Sequence, residues 1–281
     1  MQLVRFGEIN NEKPGVLVGG VRRDCSAHFN DWNRDFFNNN GLDKLSKLLT
    51  DGKTVFPEVS ADDRWGPCVS RPNMILCVGL NYSDHAIEAG MDIPEEPVLF
   101  MKATNTLCGP NDDVAIPRKS EKTDWEVELA IVIKKDLLYA NNEAEALEAI
   151  GGYCIMHDVS EREFQIERGG QWVKGKSCPG FSPVGPYLVT PDTIPDVLNL
   201  KMNLKVNGED MQNGNTNTMI FKPAFVVHYV SQFMQLEAGD IITTGTPPGV
   251  GFGKTPPKYL RPGDKVQVSI EHLGQQIQLF V

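Results

Sequence analysis

Two carboxylates interrupt an otherwise apolar strand pattern between residues 124 and 133. Side chains alternate between the two faces of a strand, so Glu126 and Glu128 are expected to point to the same side. Two like charges on one face of such an apolar strand repel each other and are costly to bury. A divalent cation would remove that cost, and ligands that are all oxygen favour magnesium, manganese or calcium. The alternative is an edge strand whose two glutamates are solvated.

A third carboxylate ends a second apolar run. The run covers residues 151–158 and ends in Asp158, and the polar residues 159–168 that follow have helical spacing. Asp158 is therefore predicted at a strand-to-helix junction, where ligand and catalytic residues collect. Ser160 is predicted to cap that helix, with Glu163 as its partner in a capping box. The alternative for Asp158 is a simple cap or turn residue.

A histidine and a glutamate lie three residues apart in a predicted helix that follows the buried strand at residues 74–80. His85 and Glu88 would be neighbours on one helical face, and Gly90 would end the helix. A carboxylate that orients an imidazole and raises its basicity makes a general base. The alternative is a surface pair without a catalytic role.

Composition and charge favour a soluble globular protein without a nucleic-acid or membrane partner. The chain has 281 residues and a net charge of −10, from 27 basic and 37 acidic side chains, and lacks a basic stripe. No apolar run could span a bilayer and residues 1–7 lack the features of a signal peptide, so a cytoplasmic location is expected. Six cysteines without a CxxC pair indicate buried free thiols, and a nucleophilic Cys178 is the weaker alternative.

The order of elements predicts a β-rich α+β fold, with a mixed β-sandwich roll rather than a doubly wound sheet. Residues 1–70 are expected to form a small N-terminal domain, and residues 71–281 the metal-dependent catalytic domain. A strand at residues 200–206 runs into Asn207–Gly208, which is a strong hairpin signal. Helices are predicted at residues 41–49 and 224–234, and further strands from residue 240, at 265–270 and at 275–281.

Six short motifs, in the same order, resemble the fumarylacetoacetate hydrolase superfamily over about three quarters of the chain, from Met74 to the C-terminus. The motifs are Gly79–Tyr82 with Asp84–His85, Glu95–Lys102, Glu126–Glu128, His157–Glu163, Lys174–Ser177 and Thr244–Gly251. The resemblance implies a sandwich-roll catalytic domain, usually in a homodimer, with a divalent metal on the floor of a pocket. Mg²⁺ is the expected ion, with Mn²⁺ and Ca²⁺ as alternatives.

The resemblance also implies roles for the residues at matching positions. Glu126, Glu128 and Asp158 match the metal ligands, in agreement with the argument from the strand face. His85 and Glu88 match a catalytic dyad that lies in a mobile lid. The side chains that bind substrate in the pocket match Tyr82, Arg162, Gln165, Lys176 and Thr246. Two departures, His157 in place of asparagine and Cys178 in place of an aromatic residue, affect the expected substrate more than the metal.

The implied substrate is a small 2-oxo acid, and the implied reaction is hydrolysis of a carbon–carbon bond in a 2,4-dioxo acid. His85, oriented by Glu88, would activate a water that attacks the distal carbonyl group. Gln165 or Lys176 would hold the oxyanion, and pyruvate and a carboxylic acid would be released. A bound metal would polarise the 2-oxo group and stabilise the enolate.

The substrate tail and the reaction class have alternatives. Residues 121–128 and 167–172 are similar to bacterial members that cleave 2,4-dioxo-3-deoxy sugar acids such as the rhamnonate or fuconate derivatives, for which a polar pocket is expected. The same metal-enolate chemistry supports oxaloacetate decarboxylation, tautomerisation, and isomerisation or hydration of 2-oxo-alkenoates. A non-catalytic, metal-stabilised binding module is the alternative to an enzyme.

Overall fold

The computed structural model describes residues 1–88 and 92–281, except for the side chains of His85 and Ala86. The strands are β1 (Gln2–Phe6), β2 (Lys13–Val18), β3 (Val21–Asp24), β4 (Trp65–Gly66), β5 (Ile75–Gly79), β6 (Val98–Lys102), β7 (Leu107–Cys108), β8 (Thr123–Asp124), β9 (Val127–Ile133), β10 (Ile150–His157), β11 (Ser160–Glu161), β12 (Ser182–Val189), β13 (Lys201–Val206), β14 (Glu209–Asn215), β15 (Ile241–Thr243), β16 (Lys265–Ile270) and β17 (Gly274–Leu279). The helices are α1 (Arg34–Asn38), α2 (Gly41–Thr50), α3 (Ser83–Glu88), α4 (Glu143–Glu148), α5 (Val173–Lys176) and α6 (Pro223–Ser231), with a π-helical turn at Glu163–Glu167.

The main sheet contains strands from the whole length of the chain, in the order β3-β2-β1-β12-β10-β9-β15-β5-β6. Neighbouring strands in this order are antiparallel except β15 and β5, which run parallel, and the short strand β7 also pairs parallel with β12. Strand β9 lies between β10 and β15 in the interior of the sheet, and all its residues are buried. The alternative of a solvated edge strand for Glu126 and Glu128 is therefore wrong.

Alternation along β9 separates two apolar layers on the two sides of the main sheet. Leu129 and Ile131 pack in the first layer, whereas Ala130 and Val132 pack in the second. Since side chains two residues apart share a face, Glu128 lies on the side of the second layer. The carboxylates therefore share a sheet face with an apolar core.

A second sheet, β14-β13-β16-β17, covers the first layer. Met202 and Leu204 of β13 and Val268 of β16 are buried in that layer, as the sandwich prediction requires. Strands β13 and β14 form the predicted hairpin, in which Asn207 and Gly208 have φ angles of 52° and 83°. Positive φ at both central residues is what a tight hairpin turn needs. The β-rich α+β fold with a sandwich is confirmed.

The N-terminal residues cover the second layer. Trp32, Phe36 and Leu45 pack there with Val132 of β9. Strand β1 also pairs with β12, through the register Leu3↔Leu188, so the N-terminal strands extend the main sheet. The division into domains at residues 1–70 and 71–281 stays a prediction.

Several local predictions can be compared with the observed elements. Helices α2 and α6 confirm the two predicted helices, although α6 ends before residue 234. The predicted capping box is wrong, because the chain stays extended at β11 and the Ser160 hydroxyl donates to Asp158 O at 3.0 Å. Glu161 accepts from Phe164 N at 2.8 Å instead. Gly90, the predicted helix stop, lies outside the described residues.

The six cysteines are distributed along the chain from residue 25 to residue 178. All six cysteines are free thiols, and four of them are buried, as the sequence predicts. Burial raises the pKa of the Cys178 thiol, which disfavours a nucleophilic thiolate there. Among the described helices, none has the length and apolar character needed to cross a bilayer.

Candidate active site

Three buried carboxylates form a cluster at one end of the central strands, and we call Glu126, Glu128 and Asp158 the acid triad. Each residue offers an oxygen atom, and these atoms all lie within 4.8 Å of one another. The triad is assembled by the β9–β10 pairing, in which Met156 is opposite Glu128. Asp158 N then donates to Glu126 O at 3.0 Å, which places Asp158 beside the two glutamates.

Two lysines contact the acid triad from opposite sides of Asp158. Lys176 Nζ lies 2.8 Å from Glu126 Oε2 and 2.7 Å from Asp158 Oδ2. Lys102 Nζ lies 2.5 Å from the other oxygen of Asp158 and 3.1 Å from Val159 O. Lys102, at the end of β6, received no role from the sequence. In the sequence, Lys102 appears only as a lysine at the end of an apolar strand. This signal is weak, because the sequence does not show that Asp158 is its partner.

Arg162 joins the acid triad to a fourth buried carboxylate. Its Nη2 lies 2.7 Å from Glu126 Oε1, and its Nε donates to Asp124 Oδ2 at 2.8 Å. Arg162 Nη1 also donates to Gln165 Oε1 at 3.1 Å, which fixes the orientation of that amide. Arg162 and Gln165 therefore meet beside the triad, and their predicted role in substrate binding stays a prediction.

Asp124 is a second functional position that the sequence did not assign. Asp124 Oδ1 accepts from Gly251 N at 2.7 Å, and Oδ2 accepts from Phe252 N at 2.9 Å. A Cβ atom at Gly251 would collide with Lys258 O and with Asp124, so this close approach requires glycine. Asp124 thereby links Arg162 to the loop that borders the site.

The threonine-rich segment after β15 supports Glu128. Gly245 N donates to Glu128 Oε2 at 2.9 Å, and Gly245 has a φ of 87°, which favours glycine. Thr246 lines the cavity, but its hydroxyl donates to Val127 O at 2.9 Å and accepts from Gln212 Nε2 at 2.8 Å. Thr246 therefore lies at the cavity, but its hydroxyl is already bonded to the protein. Its role beside the substrate stays a prediction.

The predicted dyad is described in part. Glu88 is exposed at the mouth of the cavity, where its carboxylate accepts from Gly249 N at 3.1 and 3.2 Å. His85 lies on the same helix, α3, but its side chain lies outside the described part of the chain. Glu88 thus ties α3 to the loop after Thr246, and its pairing with His85 stays a prediction.

Tyr82, a predicted substrate-binding residue, does not reach the cavity, and neither does His157, one of the two departures from the family pattern. Tyr82 is buried in the first apolar layer, and its hydroxyl donates to Met202 Sδ at 3.1 Å. His157 is buried with Nδ1 2.9 Å from Gln278 Oε1, and its ring centroid lies 6.1 Å from that of Phe280. Burial lowers the pKa of His157 to about 4. Both side chains are core residues. Strand alternation on β10 turns His157 away from the triad.

Burial and ion pairing shift the pKa values of the triad in opposite directions. Burial raises the pKa of Glu128 well above its usual range, and the charges of Asp158 and Glu126 raise it further. Burial also opposes ionisation of Glu126, but Lys176 and Arg162 outweigh it and hold the Glu126 pKa below its usual range. The ionised form of Glu126 is therefore stabilised by its cations. Near Glu128, the positive charge does not offset the cost of burial and of the neighbouring carboxylates.

The charges at the triad nearly cancel. Four carboxylates meet three cations there: Asp124, Glu126, Glu128 and Asp158 with Lys102, Arg162 and Lys176. With every group ionised, four negative and three positive charges leave −1. A divalent ion would change this to +1, which would attract an anionic ligand although the whole chain is acidic.

Glu126 and Glu128 of the acid triad line a cavity of about 360 Å³. Its deep end is formed by charged and polar side chains, all buried: Glu126, Glu128, Arg162, Gln165 and Lys176. A larger groove, of about 530 Å³, lies near Arg5 and Arg64, but both arginines form ion pairs with Glu12. The triad cavity is therefore the better candidate site for small-molecule chemistry.

The chain is similar to curated proteins and solved structures over its whole length. Residues 74–281 match the family model of the fumarylacetoacetate hydrolase C-terminal region. A Burkholderia multivorans protein with a generic hydrolase name is 51% identical over an alignment 284 residues long. The alignment covers 99% of this chain and 98% of the relative.

Two solved structures bear on the reaction. One, described as a 2-hydroxyhepta-2,4-diene-1,7-dioate isomerase from Mycobacterium abscessus, is 31% identical with a TM-score of 0.83, covering 100% of this chain and 98% of that one. Another, a maleylpyruvate hydrolase from Sphingobium sp. SYK-6 in complex with manganese(II) and pyruvate, is 26% identical with a TM-score of 0.81, covering 100% and 99%. This chain belongs to the fumarylacetoacetate hydrolase superfamily.

Proposed function

We propose that this protein is a divalent-metal-dependent hydrolase that cleaves a carbon–carbon bond in a 2,4-dioxo acid of the acylpyruvate type. The products would be pyruvate and a carboxylic acid. The observation that carries the proposal is the buried acid triad, placed beside Lys176 and Arg162 at the floor of a cavity. The superfamily contains hydrolases and isomerases, so enzymatic activity is supported by membership itself.

The acid triad fits a hard divalent cation. Glu126, Glu128 and Asp158 supply oxygen donors that converge within 4.8 Å, and the raised pKa of Glu128 indicates that positive charge is lacking there. Mg²⁺ is the proposed ion, and Mn²⁺ and Ca²⁺ are alternatives with the same donor preference. When bound, the ion would polarise the 2-oxo group and stabilise the negative charge that develops on the pyruvate fragment.

The protein's own side chains supply the remaining electrostatic stabilisation. Lys176 and Arg162 lie at the deep end of the cavity, where they would attract the substrate carboxylate. Because Gln165 Oε1 accepts from Arg162, the amide nitrogen of Gln165 is available to donate to a substrate oxygen. Gln165 or Lys176 would thus hold the oxyanion that forms on the distal carbonyl, and Thr246 would border the carboxylate end.

The proposed base is His85, oriented by Glu88. His85 would take a proton from a water that attacks the distal carbonyl, and the same proton could later reach the pyruvate fragment. Glu88 supports this placement, because its bond to Gly249 N holds α3 at the cavity mouth. Closure of α3 over the cavity would exclude bulk water from the reaction.

A product assay with added Mg²⁺ or Mn²⁺ tests the proposal. Acetylpyruvate should give pyruvate and acetate in equal amounts, and His85→Ala should lower kcat by about two to four orders of magnitude while Mn²⁺ affinity is retained. His28→Ala, an exposed histidine outside the cavity, is the matched control and should leave kcat unchanged. Unchanged turnover in His85→Ala would overturn the assignment of the base.

Isomerisation or decarboxylation is the second candidate, supported by the similarity to the dienedioate isomerase. The same assay separates the classes by their products. An isomerase would convert its substrate without releasing pyruvate, whereas an oxaloacetate decarboxylase would release pyruvate with carbon dioxide and no second acid. Either outcome, without acetate from acetylpyruvate, would replace the hydrolase proposal.

We further propose a cytoplasmic location and a homodimer. The support for both is the family resemblance. Light scattering coupled to size-exclusion chromatography would measure the oligomeric state directly. A monomeric mass of 31.1 kDa would contradict the homodimer.

A further inference from the structure

The outer wall of the active-site cavity is apolar, in contrast to its charged floor. Five of its residues are Phe100, Ile166, Trp172, Val250 and Phe252. Ile166 and Phe252 remain 44% and 49% exposed, so large apolar side chains stand at the mouth, where polar residues are usual. An exposed apolar surface that continues into a binding cavity indicates contact with an apolar ligand group.

The aromatic part of this wall is held in place by neighbouring residues. The ring centroids of Phe100 and Trp172 lie 5.2 Å apart in an edge-to-face arrangement. Trp172 also packs over Gly79, where an added Cβ would lie 3.0 Å from the indole ring. The wall is therefore a fixed surface on which a substrate group could pack, and it does not depend on mobile polar side chains.

The apolar wall begins at the charged floor. Lys176 Nζ, which contacts Glu126 and Asp158, lies 5.0 Å from the ring centroid of Phe100. A ligand whose carboxylate and 2-oxo group bind at the floor would therefore extend directly along Phe100 and Trp172. The remainder of the ligand, its tail, would lie against the apolar wall.

The charges of the cavity disfavour a second carboxylate in the tail. Among the described lining residues, the cations are Arg162 and Lys176, and both are already paired at the floor. At the mouth, the carboxylate of Glu88 already accepts from Gly249 N. A tail carboxylate would therefore find no unpaired cation among the described lining residues, and tail hydroxyls would lose water against aromatic surface without gaining partners there.

We propose that the site selects 2-oxo acids whose tail is apolar and uncharged, rather than dicarboxylates or polyhydroxylated sugar acids. This inference rests on the proposed function for the position of the 2-oxo acid head. It narrows the substrate to acylpyruvates with alkyl, alkenyl or aryl tails. The apolar wall disfavours the sugar-acid tail that the sequence allowed.

Binding of uncleavable 2-oxo acids to the Mn²⁺-loaded protein tests the inference by isothermal titration calorimetry. From 2-oxobutanoate to 2-oxohexanoate, the Kd should fall about threefold to fourfold for each added methylene group. 2-Oxoadipate has the same number of carbons as 2-oxohexanoate and a second carboxylate, and it should bind at least tenfold more weakly. A Kd independent of chain length, tighter binding of 2-oxoadipate, or no binding of any of these acids would overturn the inference.

Two matched substitutions test whether the apolar wall causes the dependence of Kd on chain length. Phe252→Ser should weaken 2-oxohexanoate binding at least threefold and leave 2-oxobutanoate binding nearly unchanged. Phe233→Ser alters another exposed aromatic residue, 64% exposed and outside the cavity, and should change neither Kd. Equal effects of the two substitutions would contradict a role for the wall.

The two proposals fail separately in these experiments. The titrated acids have no 4-oxo group and cannot undergo the proposed cleavage, so their binding does not depend on the reaction class. A chain-length effect without acylpyruvate hydrolysis would remove the proposed function and keep the apolar tail site. Acylpyruvate hydrolysis without a chain-length effect would keep the proposed function and remove the apolar tail site.

Discussion

Asp124 connects two parts of the site that are distant in sequence. One carboxylate oxygen accepts from Gly251 N, and the other accepts from both Arg162 Nε and Phe252 N. The side chain is fully buried, so its charge depends on these donors. Arg162 depends on Asp124 in turn, because Asp124 is one of the two carboxylates that compensate its buried charge, the other being Glu126.

Asp124→Asn should lower the free energy of unfolding by about 3 kcal/mol, because it removes one of the two carboxylates paired with the buried Arg162 while keeping the side-chain shape. Urea denaturation followed by circular dichroism would measure this loss. Asp113→Asn, at an exposed aspartate, is the control and should change the free energy by less than about 0.5 kcal/mol. An equally small loss in Asp124→Asn would contradict the assigned role.

Among the charged residues of the site, the sequence pointed to the triad, Arg162 and Lys176, but not to Lys102 or Asp124. Glu126 and Glu128 were predictable because strand alternation is a local rule, and Asp158 because it ends an apolar run. Lys102 and Asp124 were not, since their partners lie 56 and 38 residues away. Nothing local distinguishes a buried, paired charge from an exposed one.

At the element scale, the loop after β9 attaches the N-terminal helix α1 to the main sheet. Asp136 in this loop accepts from Arg34 Nη2 at 2.6 Å and from Asn38 Nδ2 at 3.1 Å. It also accepts from Ala238 N at 2.9 Å, on the loop before β15. One carboxylate thus joins three segments at this end of the sheet.

The contribution of Asp136 should depend on pH. Burial opposes its ionisation, but the Ala238 amide and Arg34 outweigh this and lower the pKa of Asp136 below its usual value of 3.8. A depressed folded-state pKa stabilises the fold above the unfolded pKa, and this stability is lost as the pH falls through the folded pKa. Asp136→Asn should therefore cost about 1 kcal/mol at pH 7 and progressively less below pH 4.

Urea titrations of wild type and Asp136→Asn at pH 7, 4 and 3 would measure this difference, with Asp113→Asn as the control for a general charge effect. A difference in unfolding free energy that stays constant over this range would contradict the role of the Asp136 charge.

Elements with strong local signals were predicted well. The Asn207–Gly208 turn and helix α2 follow from residues that are close in sequence. The capping box at Ser160 failed because β11 pairs with β8 and keeps Ser160 extended, which is a tertiary effect. Pairing of β1 with β12 joins residues more than 180 positions apart, and no pattern in either strand specifies that partner.

At the scale of the whole molecule, chelation separates an enzyme from a binding module. EDTA should abolish turnover, and added Mg²⁺ or Mn²⁺ should restore it, because the metal supplies part of the charge stabilisation. Mn²⁺ at 100 times its Kd should stabilise the fold by about 2.7 kcal/mol. A thermal melt with and without EDTA measures this shift. Loss of thermal stability by a protein that has no activity before chelation would instead support a non-catalytic module.

The variants Asp158→Asn and Glu163→Gln provide a matched pair for the same melt. Asp158 belongs to the triad, whereas Glu163 lies five residues further along and pairs with Arg168. Asp158→Asn should lose the Mn²⁺-dependent rise in melting temperature, and Glu163→Gln should keep it. An equal rise in both variants would place the metal elsewhere.

A crystal grown with Mn²⁺, with anomalous diffraction data collected near the manganese edge, would show whether the acid triad binds the metal. We expect an anomalous peak enclosed by Glu126, Glu128 and Asp158, with one oxygen of each about 2.2 Å from the ion. A strong peak elsewhere, or a triad that stays paired with Lys176 at saturating Mn²⁺ without an ion, would contradict the account.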